Sequence, residues 1–205
     1  MLPRGFYERP AIDVARALLG KVLLHGGVSG RIVETEAYLG LTDAAAHAFH
    51  GPTPRTQVIF GPPGHAYVYL SYGIHDCLNV VAEPPGSPGC VLIRAVEPLT
   101  GIAAMCRRRH TDRLENLANG PGKLTQALGI TLRHNGADLT RGPLTLHEPS
   151  SAEPFEIAVS PRVGITHNAD WPLRFYIAGS RFLSRHPKPP GDATLKKHAQ
   201  IHDFS

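Results

Sequence analysis

Three cysteines in 205 residues are too few and too scattered for a disulfide framework, and Cys77, Cys90 and Cys106 lack the paired spacing of a zinc site. The sequence also has no apolar run near the ~20 residues needed to cross a bilayer. Its opening, MLPRGFYERP, has no apolar stretch of the kind a secretory signal needs. These absences exclude a membrane span and point to a reducing cytoplasmic setting. Aromatic residues are sparse at 7%, and neither sign of charge dominates: 21 Lys+Arg against 17 Asp+Glu leave +4. That balance is compatible with a polyanionic partner but equally with a metabolic enzyme. No internal repeat and no convincing linker interrupts the chain, so one domain over 1–205 is expected.

What is plentiful is Gly (21) and Pro (19), which calls for many short elements and tight turns. A helix is predicted over 10–19, with proline in its first turn and Gly20 as its stop. Strand-like runs follow at 21–25, 30–39, 65–72, 78–82 and 90–97, each flanked by Gly, Pro or Asn. Helices are predicted over 101–109 and from 119 to 129, then short strands at 144–146 and 173–178. The tail from 186 to 205, rich in Pro, Lys and His, reads as poorly ordered. The sum is a mixed α/β (α+β) fold: a curved, largely antiparallel sheet flanked by helices, with a protruding β-hairpin.

Three places carry unusual residues. In Arg31-Ile-Val-Glu-Thr-Glu-Ala-Tyr-Leu39, period-two alternation puts Glu34, Glu36 and Tyr38 on one strand face. A solvated face is the ordinary explanation; a carboxylate held rigidly against a substrate is the functional one. The runs HAYVYLSYG and IHDCLNVV read as a hairpin whose tip is Tyr72-Gly73. Tyr67 is assigned to the core, whereas Tyr72 at the tip is suited to act as a wedge in a minor groove. Arg94 is the one charge in the strand Cys90-Val-Leu-Ile-Arg-Ala-Val96, where a structural ion pair is the default. If its partner is Glu36, the pair could orient a water.

The strings RIVETEAYLG, DAAAHAF, TPR, FGPPGHAYVYLSYGIHDCLNVV, CVLIRAVEPL, NGPGKLTQALGI, RVGITH and PLRFY, in this order, resemble those of the alkyladenine (methylpurine) DNA glycosylases. Each string is weak alone; eight in register are specific, and they cover most of residues 5–180. The resemblance implies a monofunctional glycosylase that extrudes a damaged purine from double-stranded DNA, needs no cofactor or metal, and works as a monomer. It assigns Glu36 as general base, Arg94 and the Val163 backbone carbonyl as holders of the attacking water, and Tyr38 and His47 as opposite walls around the base. It further implies that Tyr69 closes the pocket edge, that Asn79 sits where guanine would carry its 2-amino group, and that Tyr72 intercalates. Cationic alkylated bases would be drawn to the faces of Tyr38 and Tyr69. 3-Methyladenine, 7-methylguanine, hypoxanthine and ethenoadenine are the candidate lesions. One departure stands out, since basic residues are expected near positions that hold His50 and Pro52.

Other chemistries fit less well. Sets such as His47 with His50, or His65, His75 and Asp76, lack metal-ligand spacing despite the 12 histidines. A lyase would need an amine, and Lys123, at a helix start, reads as structural or as a phosphate contact. The Arg107-Arg-Arg-His110 run reads as a solvated helix end or, less readily, a phosphate contact. A damaged-DNA-binding or RNA-binding module without chemistry is the remaining alternative; Glu36 together with Arg94 argues against it.

Overall fold

The computed structural model describes residues 1–84, 86–151 and 153–186, so nearly all of the tail singled out above lies outside the described residues. The first helix, α1 (Ala11–Leu18), buries Ala11, Val14, Ala15 and Leu18, an i, i+3, i+4, i+7 stripe, and Pro10 precedes it as its cap. Strands β1 (Val22–His25) and β2 (Val28–Tyr38) form the first antiparallel pair, and β3 (Ala66–Ser71) and β4 (His75–Ala82) the second. The long β5 (Gly89–Thr100) leads into α2 (Ile102–Arg109) and α3 (Pro121–Leu128). Then come β6 (Leu144–His147), β7 (Ile157–Ser160) and β8 (Arg174–Ile177).

All eight strands join one antiparallel sheet in the order β3-β4-β5-β2-β1-β6, with β8 on the free half of β2 and β7 outside it. The mixed α/β reading and its antiparallel sheet are therefore correct. β7 was missed: its four residues lie a few positions from Pro154 and next to Pro161, and none is fully buried, so they show no hydrophobic period. Along β2 the register with β5 shifts between Ser29 and Gly30 and twice around Glu34. Such irregularities bend a strand and re-aim its side chains.

The solvated-face explanation for β2 fails. From Ile32 to Ala37 every residue is buried: α1 lies against the Thr35 face, with the Thr35 hydroxyl donating to the Ala15 carbonyl at 2.9 Å, and Arg94, Arg174, Val163 and Ser184 cover the Glu34–Glu36 face. β5 is buried from Gly89 to Val96 for the same reason, which explains its unbroken apolar run. The main core gathers Leu18, Leu23, Ile32, Ile93, Leu117 and Leu124, while a smaller cluster of Ala48, Ile59, Tyr67, Val81 and Cys90 backs Tyr38 and Tyr69. The arginine run ending α2 is not a solvated face throughout. Arg108 and Arg109 donate to the carbonyls of Ala127 and Leu117 and so tie α2 to α3 and the segment before it.

Gly40, just past β2, has φ +64, and a Cβ there would lie 1.8 Å from the Pro88 carbonyl oxygen. Neither the turn nor the close approach admits a side chain. Gly40→Ala is expected to cost about 3 kcal/mol, lowering the thermal midpoint by roughly 6–12 °C. Calorimetry decides this, and a shift of under ~2 °C would mean the two backbones separate freely.

Candidate active site

Glu34 and Glu36 share a face of β2 with their carboxylates fully buried, and Arg94 from β5 reaches across to both. Its Nε donates to Glu34 Oε1 at 3.0 Å and its Nη1 to Glu36 Oε2 at 3.2 Å. Glu34 is saturated: it also accepts from Arg174 Nε (2.7 Å), the Ser184 amide (2.6 Å) and the Ser184 hydroxyl (2.7 Å). Glu36 is held differently. Its Oε1 accepts the Val163 amide at 2.7 Å and its Oε2 accepts the Tyr38 hydroxyl at 3.0 Å in addition to Arg94. Val163 thus reaches the carboxylate through its N–H.

Burial is the largest influence on Glu36 and pushes its pKa above the ordinary 4.5. Arg94, the Val163 amide and the Tyr38 hydroxyl pull it back, and the Glu34 charge pushes it further up. Tyr38, buried beside that carboxylate, titrates well above the ordinary tyrosine value and stays a donor.

Tyr38, Arg94 and Val163 form one wall of a cavity of about 640 Å³ that also takes in His47, Tyr67, Tyr69, Asn79, Arg55 and Tyr72. The structure thus brings together the residues to which the family resemblance assigned roles, with Glu36 behind Tyr38 and Arg94, whereas Lys123, the arginine run of α2, His50, His65 and His75 do not line the cavity. His47 Nδ1 lies 2.9 Å from the Tyr67 hydroxyl, and its ring meets Tyr69 edge-on at 4.5 Å. Desolvation against these rings, and the Arg55 charge, keep the His47 pKa below 6.5, so the imidazole is neutral at neutral pH. Tyr67, expected in the core, is both buried and a pocket wall. Asn79 is buried, and its Nδ2 donates to the Tyr67 carbonyl at 3.1 Å, so its amide orientation is fixed by the strand pair.

Behind Tyr38 lies a second buried ion pair, which sequence reasoning missed although both members stand in the quoted strings. Arg162 sits over the Tyr38 ring at 4.6 Å, donates to the Ala37 carbonyl at 3.0 Å, and forms a two-pronged pair with Asp43. The pair clamps the ring from its back face. Burial opposes ionisation of Asp43, but hydrogen bonds from Arg162, Asn168 and the Leu39 amide outweigh it and lower its pKa below 3.8.

The hairpin tip is strained in a telling way. Ser71 to Ile74 form a tight turn, with the Ile74 amide donating to the Ser71 carbonyl at 3.0 Å, and both Tyr72 and Gly73 have positive φ (+50 and +70). That turn type favours Asn-Gly; a tyrosine in the left-handed region is costly. Tyr72 is also 90% exposed, so neither backbone nor packing explains it. Lys123, weighed above as an amine nucleophile, donates to Asn119 Oδ1 at 2.8 Å, a structural contact at the start of α3. Among the described residues no three His, Cys, Asp or Glu side chains group closely enough to hold a metal ion, and no helix is long and apolar enough to cross a membrane.

A family model for methylpurine-DNA glycosylases matches residues 5–181 of this chain. Among curated relatives, a protein of Rhodopseudomonas palustris named "Putative 3-methyladenine DNA glycosylase" is 55% identical over 185 residues, covering 90% of this chain and 88% of its own. Proteins of the same name from Methanoculleus marisnigri and Chlorobaculum tepidum are 52% and 49% identical, over 90% and 92% of this chain and 98% and 93% of theirs.

Asp43→Asn leaves Arg162 buried without its counter-charge and is expected to cost about 3–5 kcal/mol in urea unfolding at neutral pH. Because the folded pKa of Asp43 is lowered, its contribution is complete above the unfolded value of 3.8 and is lost as pH falls through the folded value. The gap between wild type and variant should therefore begin to narrow only below pH 3.8. A cost under ~1 kcal/mol at neutral pH would show that the pair is not what holds Tyr38's back face.

Proposed function

Because the chain belongs to the methylpurine-DNA glycosylase family, we propose that it is a monofunctional repair glycosylase that extrudes alkylated or deaminated purines from duplex DNA and hydrolyses their N-glycosidic bond. The observation that carries this reading is Glu36, a fully buried carboxylate fixed by three donors immediately behind an aromatic cavity.

The chemistry follows from that arrangement. A carboxylate offers about four acceptor positions, and three are taken by Val163 N–H, Tyr38 O–H and Arg94 Nη1. The acceptor capacity that remains on Oε1 suits a water, oriented together with Arg94 and the Val163 carbonyl. As the bond between C1′ and the purine N9 breaks, the sugar becomes oxocarbenium-like; the water oxygen bonds to C1′ and Glu36 takes its proton. The same negative charge stabilises the developing cation. Arg94, the Val163 amide and the Tyr38 hydroxyl oppose the burial that raises the Glu36 pKa and so favour the ionised form that a base requires.

Capture of the base falls to the cavity walls. Tyr38, rigid against Arg162, stacks on one side of the extruded purine, with His47 opposite and Tyr69 at the edge. Such stacking contributes ~1–3 kcal/mol. Tyr72 fills the gap in the duplex, which gives a reason for an exposed aromatic in a strained turn. Asn79, its amide fixed by the Tyr67 carbonyl, disfavours a purine carrying a 2-amino group and so holds back undamaged guanine.

Glu36→Gln should fold and bind lesion duplex but lose single-turnover release of hypoxanthine by at least ~10²-fold, the usual effect of removing a positioned base. Near wild-type release by the variant would end the assignment, and lesion binding without release by the wild type would make the protein a damage-binding module instead. Separately, Tyr72→Ala is expected to lower the extruded fraction of ethenoadenine, followed by stopped-flow fluorescence. An unchanged extrusion equilibrium would leave the hairpin tip without a role in DNA.

A further inference from the structure

The charged side chains that line the cavity are unusual for a site expected to draw in cationic bases. They are two arginines, Arg55 and Arg94, and among the described residues no carboxylate is part of the lining. Arg94 is neutralised by Glu34 and Glu36 behind the wall. Arg55 is not: among the described residues no Asp or Glu pairs with it, and it stands exposed at the rim with its guanidinium carbon 5.1 Å from the centroid of the Tyr69 ring. Its charge is also felt by His47 on the same rim.

From this geometry we infer that Arg55 is a specificity-determining residue that biases the cavity toward uncharged purine lesions and against purines made cationic by alkylation. The inference rests on the glycosylase reading above and names the substrate class within it. Two effects act together. A guanidinium over Tyr69 already satisfies the ring's attraction for a cation, so a cationic base gains less there. It also lines the same cavity as Tyr38 and His47, where a second positive charge is repelled. The Tyr38 ring adds little to offset this, since Arg162 occupies its back face. A neutral base with carbonyl or ring-nitrogen acceptors meets neither penalty, and Arg55 brings donors that such acceptors can use. At a partly solvated separation of several ångströms, a charge–charge penalty corresponds to roughly a fivefold to tenfold change in rate or affinity.

The alternative role for an exposed arginine beside a DNA cavity is a phosphate contact, which would strengthen binding of every lesion alike and weaken with salt. The two roles separate in one experiment. Single-turnover release of 7-methylguanine (cationic) and hypoxanthine (neutral) is measured from otherwise identical duplexes, with spontaneous loss subtracted, for wild type, Arg55→Ala and Arg55→Lys. Comparing the ratio of the two rates between proteins cancels the fixed effect of the guanine 2-amino group. Arg55→Ala is expected to raise the 7-methylguanine to hypoxanthine ratio by roughly fivefold or more, with Arg55→Lys, which keeps the charge, staying near wild type. If both rates fall in proportion in Arg55→Ala and the loss is recovered at low salt, Arg55 only holds phosphate and the inference is overturned. Wild-type protein that releases neither base overturns the glycosylase reading and this assignment with it. Release of both with an unchanged ratio overturns this assignment alone.

Discussion

Arg94 bridging two carboxylates that are entirely out of water is the interaction on which the site depends. Glu34 and Glu36, two residues apart on one strand face, would repel each other and resist burial if they stood alone. With Arg94 and Arg174 the cluster carries balanced charge, and its members divide the work. Glu34 accepts four donors and acts as the anchor that fixes Arg94 from behind. Glu36 accepts three and keeps capacity for one more partner. Buried ion clusters of this kind seldom add stability over apolar packing. Their presence here is better understood as the cost of holding an ionised carboxylate against a cavity.

The aromatic part of the site repeats the same logic one layer out. Tyr38 touches both systems: its hydroxyl donates to Glu36 and its ring rests on Arg162, which Asp43 neutralises. The ring is therefore positioned by charge as well as by packing. His47 is likewise fixed by Tyr67 and Tyr69. The β3–β4 turn differs: Tyr72 there bears both backbone strain and exposed apolar surface.

Much of the fold was legible because its elements carry strong punctuation. Pro10 and Gly20 bracket α1, Pro121 and Gly129 bracket α3, and the β3–β4 turn falls at Tyr72-Gly73 as expected. β7 carried no such signal. The period of β2 correctly grouped Glu34 with Glu36 but gave no hint of their burial, because that is decided by Arg94, Val163, Arg174 and Ser184, which come from segments distant in sequence. Arg94, the one charge within the buried run 89–96 of β5, did signal itself. The partners of Glu34, the Asp43–Arg162 clamp and the place of Arg55 over Tyr69 could not be read in advance, since each joins segments whose proximity only the folded sheet creates. The resemblance to known glycosylases supplied the roles; the geometry supplied the reasons those residues can fill them.

The most direct measurement is an isotope-edited carboxyl NMR titration of the free protein, with Glu36→Gln used to identify the resonance. If Arg94 holds an ionisable base out of water, Glu36 titrates above the ordinary 4.5 and is ionised at neutral pH. A midpoint at or below 4.5, or a carboxyl still protonated at neutral pH, would contradict it.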